Sequence, residues 1–102
     1  MKGTNEFVLT GVVIERKPLR YTPAGVPVSE ATIAHESEQV EANLPRVVLC
    51  EVRVLAVGEN ARWLDAAKLG STLKLQGFMA AKSQRQKSLV LHIQLIEFLE
   101  GN

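Results

Sequence analysis

The sequence predicts an all-β domain in which five short strands close into a small barrel, with one helix between the third and fourth strands. Hydrophobic and polar residues alternate along most of the 102 residues, which is the period of half-buried strands. Helical spacing occurs only in residues 59–69. Turn-forming segments separate the alternating runs. Closure into a barrel would remove the exposed edges of so short a sheet.

The composition is that of one soluble globular domain spanning 1–102, with 46% hydrophobic residues and a net charge of +1. The single cysteine, Cys50, has no partner for an internal disulfide, and we expect a small buried side chain. No basic region precedes an apolar stretch at the N-terminus, and no run reaches the about 18 apolar residues of a membrane span. We therefore expect a cytoplasmic protein with no membrane partner.

Charge is segregated along the chain. Residues 21–45 contain four glutamates and no Lys or Arg, whereas residues 66–96 contain five cations and no Asp or Glu. This distribution suggests separate acidic and basic surfaces, although folding could intermix them.

The first two strands are predicted on either side of a turn. NEFVLTGVVIE, residues 5–15, is the first strand, and Gly11 marks a bend or bulge in it. KPLRYTPAG, residues 17–25, is rich in turn formers, because its prolines fix φ and its glycine is permissive. VPVSEATIAHE, residues 26–36, is the second strand.

The third strand, RVVLCEVRVLAV at residues 46–57, has the clearest alternation. We expect one face to enter the core: Val48, Cys50, Val52, Val54 and Ala56. The other face, with Leu49, Glu51 and Arg53, is mixed, and solvent or a ligand could cover it. The preceding segment, residues 37–45, is polar and lies between the second and third strands, and Pro45 bars a helix there.

ENARWLDAAKL, residues 59–69, is the predicted helix, closed by Gly70. Ala61 and Leu64 lie at helical spacing, and we expect Trp63 to join Leu64 in the core rather than to contact a ligand.

The last two strands are TLKLQGFMA, residues 72–80, and LVLHIQLIEF, residues 89–98. The apolar residues expected to share one face are Leu73, Leu75, Gly77 and Met79 on the fourth strand, and Leu89, Leu91, Ile93 and Leu95 on the fifth. Between these strands lies KSQRQK, residues 82–87, a long tip with three cations and no carboxylate, glycine or proline.

Enzymatic functions are disfavoured. His35 and His92 are far apart in the sequence, and neither has a Cys or carboxylate at metal-ligand spacing. A glycine-rich phosphate loop is absent from the sequence. We therefore expect no catalytic residue, metal, cofactor or small-molecule substrate.

Two segments carry a family resemblance. LTGVVIERKPLRYTPAGVPVSEATIAHES, residues 9–37, resembles the first third of bacterial single-stranded DNA-binding (SSB) proteins, and RYTPAG, residues 20–25, is its most specific piece. LGSTLKLQGFM, residues 69–79, resembles a later glycine-bearing strand of that family. The short length and the absence of an acidic, Gly/Pro-rich tail point to the branch of primosomal replication protein N (PriB).

This resemblance implies an OB-fold, a homodimer, and binding of single-stranded DNA in the primosome that restarts stalled forks, beside the restart helicase and other primosomal proteins. The loop between the last two strands flanks the OB-fold groove. The positions implied in DNA contact are Lys82, Arg85 and Lys87 on the tip, Arg20 and Tyr21 on the opposite flank, and Arg46, Leu49, Arg53 and Lys74 on the sheet. Taken singly, each of the sheet cations has the ordinary role of a solvated charge, whereas together on one sheet face they form a path for DNA. Tyr21 either stacks on a base or covers the barrel mouth as a half-buried ring.

The chain departs from the family pattern at three positions. Leu44 and Leu49 stand where better-known members have aromatic residues, and Glu36 stands where a basic residue is expected. We therefore expect weak DNA binding, dominated by phosphates rather than by base stacking. The alternative is an OB-fold protein-interaction module with little or no DNA binding, which the acidic stretch Glu36–Glu41 favours.

Overall fold

The computed structural model describes residues 2–99. Its elements are β1 Phe7–Arg16, β2 Arg20–Tyr21, β3 Pro27–Glu41, β4 Leu44–Val57, α1 Glu59–Ala66, β5 Thr72–Ala81 and β6 Leu89–Phe98. The predicted order, five long strands with a helix after the third of them, is confirmed. The two-residue strand β2 is an addition, and it lies within the segment that the sequence predicts as a turn.

The strands form a closed barrel. Their order in the sheet is β1-β5-β6-β4-β3-β2, and a further pairing of β1 with β3 closes the sheet on itself. β1 takes part in both junctions, because residues 7–12 pair with β5 and residues 12–16 pair with β3. The pairing of β4 with β6 is parallel, and the other pairings are antiparallel.

A bulge in β6 changes which residues of that strand face the core. Gln76 pairs with Leu95 and Gly77 pairs with Ile93, so Gln94 is an extra residue in the ladder. A Cβ atom on Gly77 would overlap the backbone carbonyl of β6. Because the bulge reverses the alternation, Leu95 is exposed, and the prediction that it shares a face with Leu91 and Ile93 is wrong.

Gly11 allows the close approach of β1 and β3. A Cβ atom there would lie 2.5 Å from the carbonyl oxygen of Ala34. The irregularity in β1 falls between Val13 and Glu15 rather than at Gly11 itself. Gly11 therefore serves packing, at the point where β1 passes from one neighbour to the other.

The core fills the barrel and extends to the helix. Its largest fully buried side chains include Ile33, Leu64, Leu73, Leu75 and Leu91. The fourth strand of the sequence prediction agrees with this core, since Leu73, Leu75 and Gly77 are buried and Met79 packs against the cluster. Leu89 is exposed at the start of β6, although the register keeps it on the same strand face as Leu91 and Ile93.

The helix contacts β3, β4 and β6 through one face. Ala61 and Leu64 are fully buried, whereas Trp63 is 53% exposed, so the prediction that Trp63 lies in the core is wrong. One residue of offset turns its side chain away from the face that Leu64 buries. The helix ends at Ala66, earlier than predicted, and Gly70 lies in the following turn with a φ of 90°.

The largest difference from the sequence prediction lies between β3 and β4. Their pairing continues without interruption to the Glu41–Leu44 pair, so the polar segment before β4 is strand rather than a separate loop. Ala42 and Asn43 make the turn with φ values of 52° and 66°, as in a two-residue type I′ hairpin. Residues 35–51 extend beyond the pairings with β1 and β6, and we call them the β3–β4 ribbon.

The ribbon explains the exposure of Cys50. This residue has the alternation of a core position, but it lies on the ribbon, and the prediction that it is buried is wrong. Of the five residues expected in the core from this strand, Val54 and Ala56 are buried, and Val52 packs against the core cluster. The core face of β4 is therefore restricted to its second half.

Candidate nucleic-acid interface

A shallow depression lies on the outer face of the barrel between β2 and the end of β5. Glu30 and Leu55 form a cross-strand pair in it, and they alternate with buried residues on their strands. The lining residues are Arg20, Glu30, Leu55, Ala80, Ala81, Lys82, Val90 and His92. The floor of the depression is thus apolar, with Arg20 on one flank and Lys82 on the other.

Glu30 is the carboxylate of this depression, and Arg20 neutralises it. The guanidinium of Arg20 donates a hydrogen bond to Oε2 of Glu30. Partial burial raises the pKa of Glu30, but Arg20 and the positive charges of Lys17 and Lys82 outweigh it and hold the pKa below its ordinary value. Glu30 is therefore ionised at neutral pH, and Lys82 lies close enough to act on it electrostatically.

The tip between β5 and β6 is a defined turn although it contains no glycine or proline. The N–H of Lys82 donates to the carbonyl of Ser88 at 2.9 Å, and the N–H of Ser83 donates to the carbonyl of Gln86 at 3.0 Å. The N–H of Gln86 donates in turn to Oγ of Ser83 at 2.9 Å. Residues 82–87 are exposed throughout, so the tip presents its three cations to solvent beside the depression.

Two rings stack next to the apolar floor. Phe78 on β5 and His92 on β6 are cross-strand partners, with ring centroids 4.9 Å apart and planes 14° from parallel. His92 lines the depression. Sequence reasoning weighed His92 only as a metal ligand and missed this pair. A register counted back from the tip could have shown it, because the pairing runs without a shift from Ala81–Leu89 to Gly77–Ile93.

Tyr21 and Arg53 adjoin residues of the depression but do not line it. Tyr21 follows Arg20 on β2, is exposed, and pairs with Pro27. Arg53 pairs with Thr32 on the outer face. Glu30 also lines a small hollow with Lys17 and Arg53. It is therefore shared by the cations of this hollow and by the two cations of the depression, Arg20 and Lys82.

Lys74 lies elsewhere on the barrel. It pairs with Thr10 on one side and Glu97 on the other. It precedes Lys82, the first residue after β5, by eight positions, and at ~3.3 Å per residue the two are about 26 Å apart along the strand direction.

Arg46 and Leu49 lie on the ribbon and face opposite ways. Arg46 forms an exposed ion pair of 2.6 Å with Glu41 near the turn. Leu49 pairs with Glu36 on the outer face of the ribbon and is 70% exposed. The expectation that Arg46 shares a sheet face with Arg53 is wrong, because the even-numbered residues of β4 take the other face.

The described residues contain no grouping typical of a metal site. Across positions 2–99, no three His, Cys, Asp or Glu side chains gather where they would hold an ion. None of the helical structure in the same range is long and apolar enough to span a lipid bilayer.

Comparison with known proteins agrees with this geometry. Residues 5–95 match the sequence model of a family described as another single-strand binding protein family. A replication restart protein PriB from Bordetella pertussis is 36% identical over 98 residues, which cover 96% of this chain and 92% of the relative.

Solved structures show the same fold. The PriB protein of Ralstonia solanacearum superimposes with a TM-score of 0.84 at 33% identity, covering 95% of this chain and all of the other. The single-stranded DNA binding protein of Thermus aquaticus superimposes with a TM-score of 0.78 at 26% identity, covering all of this chain and 53% of the other. The predicted OB-fold is thereby confirmed. By sequence and by fold, the chain belongs to the replication restart protein PriB branch of the single-strand binding protein family.

Proposed function

We propose that this protein binds single-stranded DNA without sequence preference, as an accessory of replication restart. One observation carries the proposal: Arg20 and Lys82 flank a single apolar-floored depression, and the cationic tip continues from Lys82. The relatives named replication restart proteins, and the likeness to the Thermus aquaticus protein, support the same function.

In the proposed mechanism, Lys82, Arg85 and Lys87 contact successive phosphates and release the counterions condensed on the DNA. Three neutralised phosphates give a slope of about −2 for log affinity against log salt concentration, at ~0.7 per phosphate. Phe78 and His92 supply an aromatic surface for a base. Arg20 becomes available to a phosphate when it exchanges its bond with Glu30.

The remaining predicted contacts fall into two groups in this proposal. Tyr21 adjoins Arg20, and Arg53 shares a hollow with Glu30, so both would extend the DNA path beyond the depression. Arg46, Leu49 and Lys74 lie away from it, so DNA would reach them only after leaving the depression. We expect these three to contribute less than the tip.

We also propose a homodimer. Residues 7–11 of β1 pair with β5 on one side, whereas β3 begins to pair with β1 only at Val12. This leaves one side of the strand open to a second copy, next to the exposed Val8. A symmetric dimer would carry six tip cations and raise affinity by avidity. Sedimentation equilibrium tests it: a monomer mass at micromolar concentration would overturn the dimer.

We further propose that the protein acts in the cytoplasm and bridges DNA to the restart helicase and other primosomal proteins. Co-sedimentation with the purified helicase, with and without an oligonucleotide, tests the bridge. The alternative function, a protein-interaction module with little DNA binding, is favoured by the acidic and apolar surface of the β3–β4 ribbon.

Charge reversal of the tip tests the DNA-binding function. The variant K82E/R85E/K87E is compared with K2E/R62E/K68E, which makes the same change in net charge at exposed positions. Fluorescence anisotropy of a labelled oligonucleotide is measured over a series of salt concentrations. We expect the tip variant to lose oligonucleotide binding and the dependence of that binding on salt concentration. We expect the control variant to retain both. Equal affinity of the tip variant and the wild type would overturn the proposal in favour of the interaction module.

A further inference from the structure

The outer face of the β3–β4 ribbon carries two rows of side chains of different character. On β4 the row is apolar and consists of Pro45, Val47 and Leu49. On β3, directly opposite, Glu38 pairs with Val47 and Glu36 pairs with Leu49. An apolar row therefore lies alongside an acidic row at the ~5 Å distance of neighbouring strands.

The apolar row is strongly exposed, and its end nearest the barrel, at Leu49, lines a hollow. Val47 is 62% exposed, and Val40, which extends the row beside Pro45, is 75% exposed. At the base of the ribbon, Leu49 and Glu36 line a hollow together with Val12, Ala34 and Thr72. Exposed apolar surface of this kind marks an interaction site more often than it marks ordinary surface.

The charge of this face is uncompensated. The ribbon's one cation, Arg46, lies on the opposite face and pairs with Glu41. Within residues 2–99, neither Glu36 nor Glu38 has an ion-pair partner. A phosphate chain would meet repulsion here, and the face offers it no aromatic ring. The ligand that matches both rows is apolar along one edge and positively charged along the other.

We propose that this face of the ribbon is a docking surface for a basic amphipathic segment of a partner protein. The inference rests on the bridging role proposed above, and it gives that role a surface separate from the DNA path. Alternate residues on a strand are about 6.7 Å apart, close to the ~6 Å between residues i and i+4 on a helix. An amphipathic helix can therefore lay its apolar stripe along Val47 and Leu49 and its Lys or Arg side chains over Glu36 and Glu38.

A designed pair of peptides tests the docking surface. The first is a fluorescein-labelled helical peptide with a leucine stripe flanked on one side by lysines, and the second has glutamate at every lysine position. Anisotropy measures the binding of each, and amide chemical shifts of the isotope-labelled protein locate the site. We expect the lysine peptide to bind and to shift the amides of residues 36–49. We expect the glutamate peptide not to bind.

Two pairs of variants separate the rows. E36Q/E38Q is compared with E6Q/E97Q, and V47S/L49S with L69S/L95S, all at exposed positions. Loss of the two carboxylates should lower the affinity for the lysine peptide about threefold to tenfold, since each exposed ion pair contributes little. V47S/L49S should lower that affinity tenfold or more. The control variants should bind it as the wild type does.

The outcomes distinguish this inference from the DNA-binding proposal. Oligonucleotide affinity should fall much further in K82E/R85E/K87E than in V47S/L49S. If V47S/L49S loses oligonucleotide binding as severely as the tip variant, the ribbon is a DNA contact and the inference is overturned. A change in sedimentation mass of V47S/L49S would make the ribbon a self-association surface and would overturn it equally. Binding of both peptides with equal affinity would show that the rows do not select a ligand.

Discussion

The guanidinium of Arg20 on β2 donates a hydrogen bond to the carboxylate of Glu30 on β3, inside the depression that Lys82 also lines. The pair is half-exposed on the arginine side and more covered on the glutamate side. A phosphate entering the depression therefore competes with Glu30 for Arg20. Because of this competition, we expect Glu30 to lower the affinity of the proposed DNA binding.

Replacing Glu30 with glutamine should strengthen the binding of single-stranded DNA. The change removes a negative charge beside the phosphate path and frees Arg20, and we expect about a threefold to tenfold gain in affinity at low salt. Anisotropy with a labelled oligonucleotide measures it, and E97Q is the matched control because Glu97 is exposed beside Lys74. Weaker binding by E30Q would show that the carboxylate orients Arg20 for DNA instead of withholding it.

The same pair makes stability depend on acid. The folded-state pKa of Glu30 lies below the ordinary value of 4.5, so its stabilising contribution is present above pH 4.5 and is lost as pH falls through the lower folded-state pKa. Over this acidic range the wild type should lose more unfolding free energy than E30Q. Urea unfolding at pH 7 and at several values below pH 4.5 measures both, and identical pH dependence would contradict the prediction.

The stacked rings of Phe78 and His92 should contribute to the proposed DNA binding. Replacing Phe78 with alanine removes the larger ring, and stacking on a base is worth ~1–3 kcal/mol, so affinity should fall by about fivefold or more. Phe98→Ala is the control, since Phe98 is an exposed ring at the far end of β6. Equal oligonucleotide affinities for the two variants would exclude a role for the pair.

Gly77 should tolerate no side chain. A Cβ atom at this position overlaps the carbonyl oxygen of His92, and backbone cannot move aside as a flexible side chain can. We expect Gly77→Ala to lower the free energy of unfolding by about 3 kcal/mol, at the upper end for overpacking. Gly3→Ala, where nothing lies within 4 Å of the added atom, should change it by less than ~0.5 kcal/mol. Chemical denaturation of both variants provides the measurement.

The barrel could be predicted from the sequence because apolar and polar residues alternate along most of the length of its strands. Leu73 and Leu75 are buried as their period requires. The ribbon could not be predicted in the same way, because both of its faces meet solvent and no alternation is imposed. The turn of the ribbon also lacks the Asn-Gly sequence that usually indicates a two-residue hairpin. Its first residue is Ala42, which adopts a positive φ that alanine seldom takes.

The candidate site could be predicted only in part. The sequence itself shows the three cations of the tip, and the family resemblance implies that they and Arg20 contact DNA. Folding brings Arg20 and Lys82 to one depression. The alternation of β4 alone would have separated Arg46 from Arg53, since one has an even and the other an odd number. The Phe78–His92 pair lies between the tip and the bulge, and its register depends on the number of residues in the tip, which the alternation alone does not fix.

The length of the β3–β4 ribbon carries a risk of aggregation. Beyond the barrel, its two strands pair with each other, and each leaves an outer row of backbone groups open to another chain. Pro45 blunts one of these edges. It lies one step past the hydrogen-bonded pair that flanks the turn, where a backbone N–H would point outward, and proline has none. The carboxylates of Glu36 and Glu38 on one molecule would repel those on the next, and this repulsion opposes pairing of two ribbons. We therefore expect E36Q/E38Q to precipitate at a lower protein concentration than the wild type.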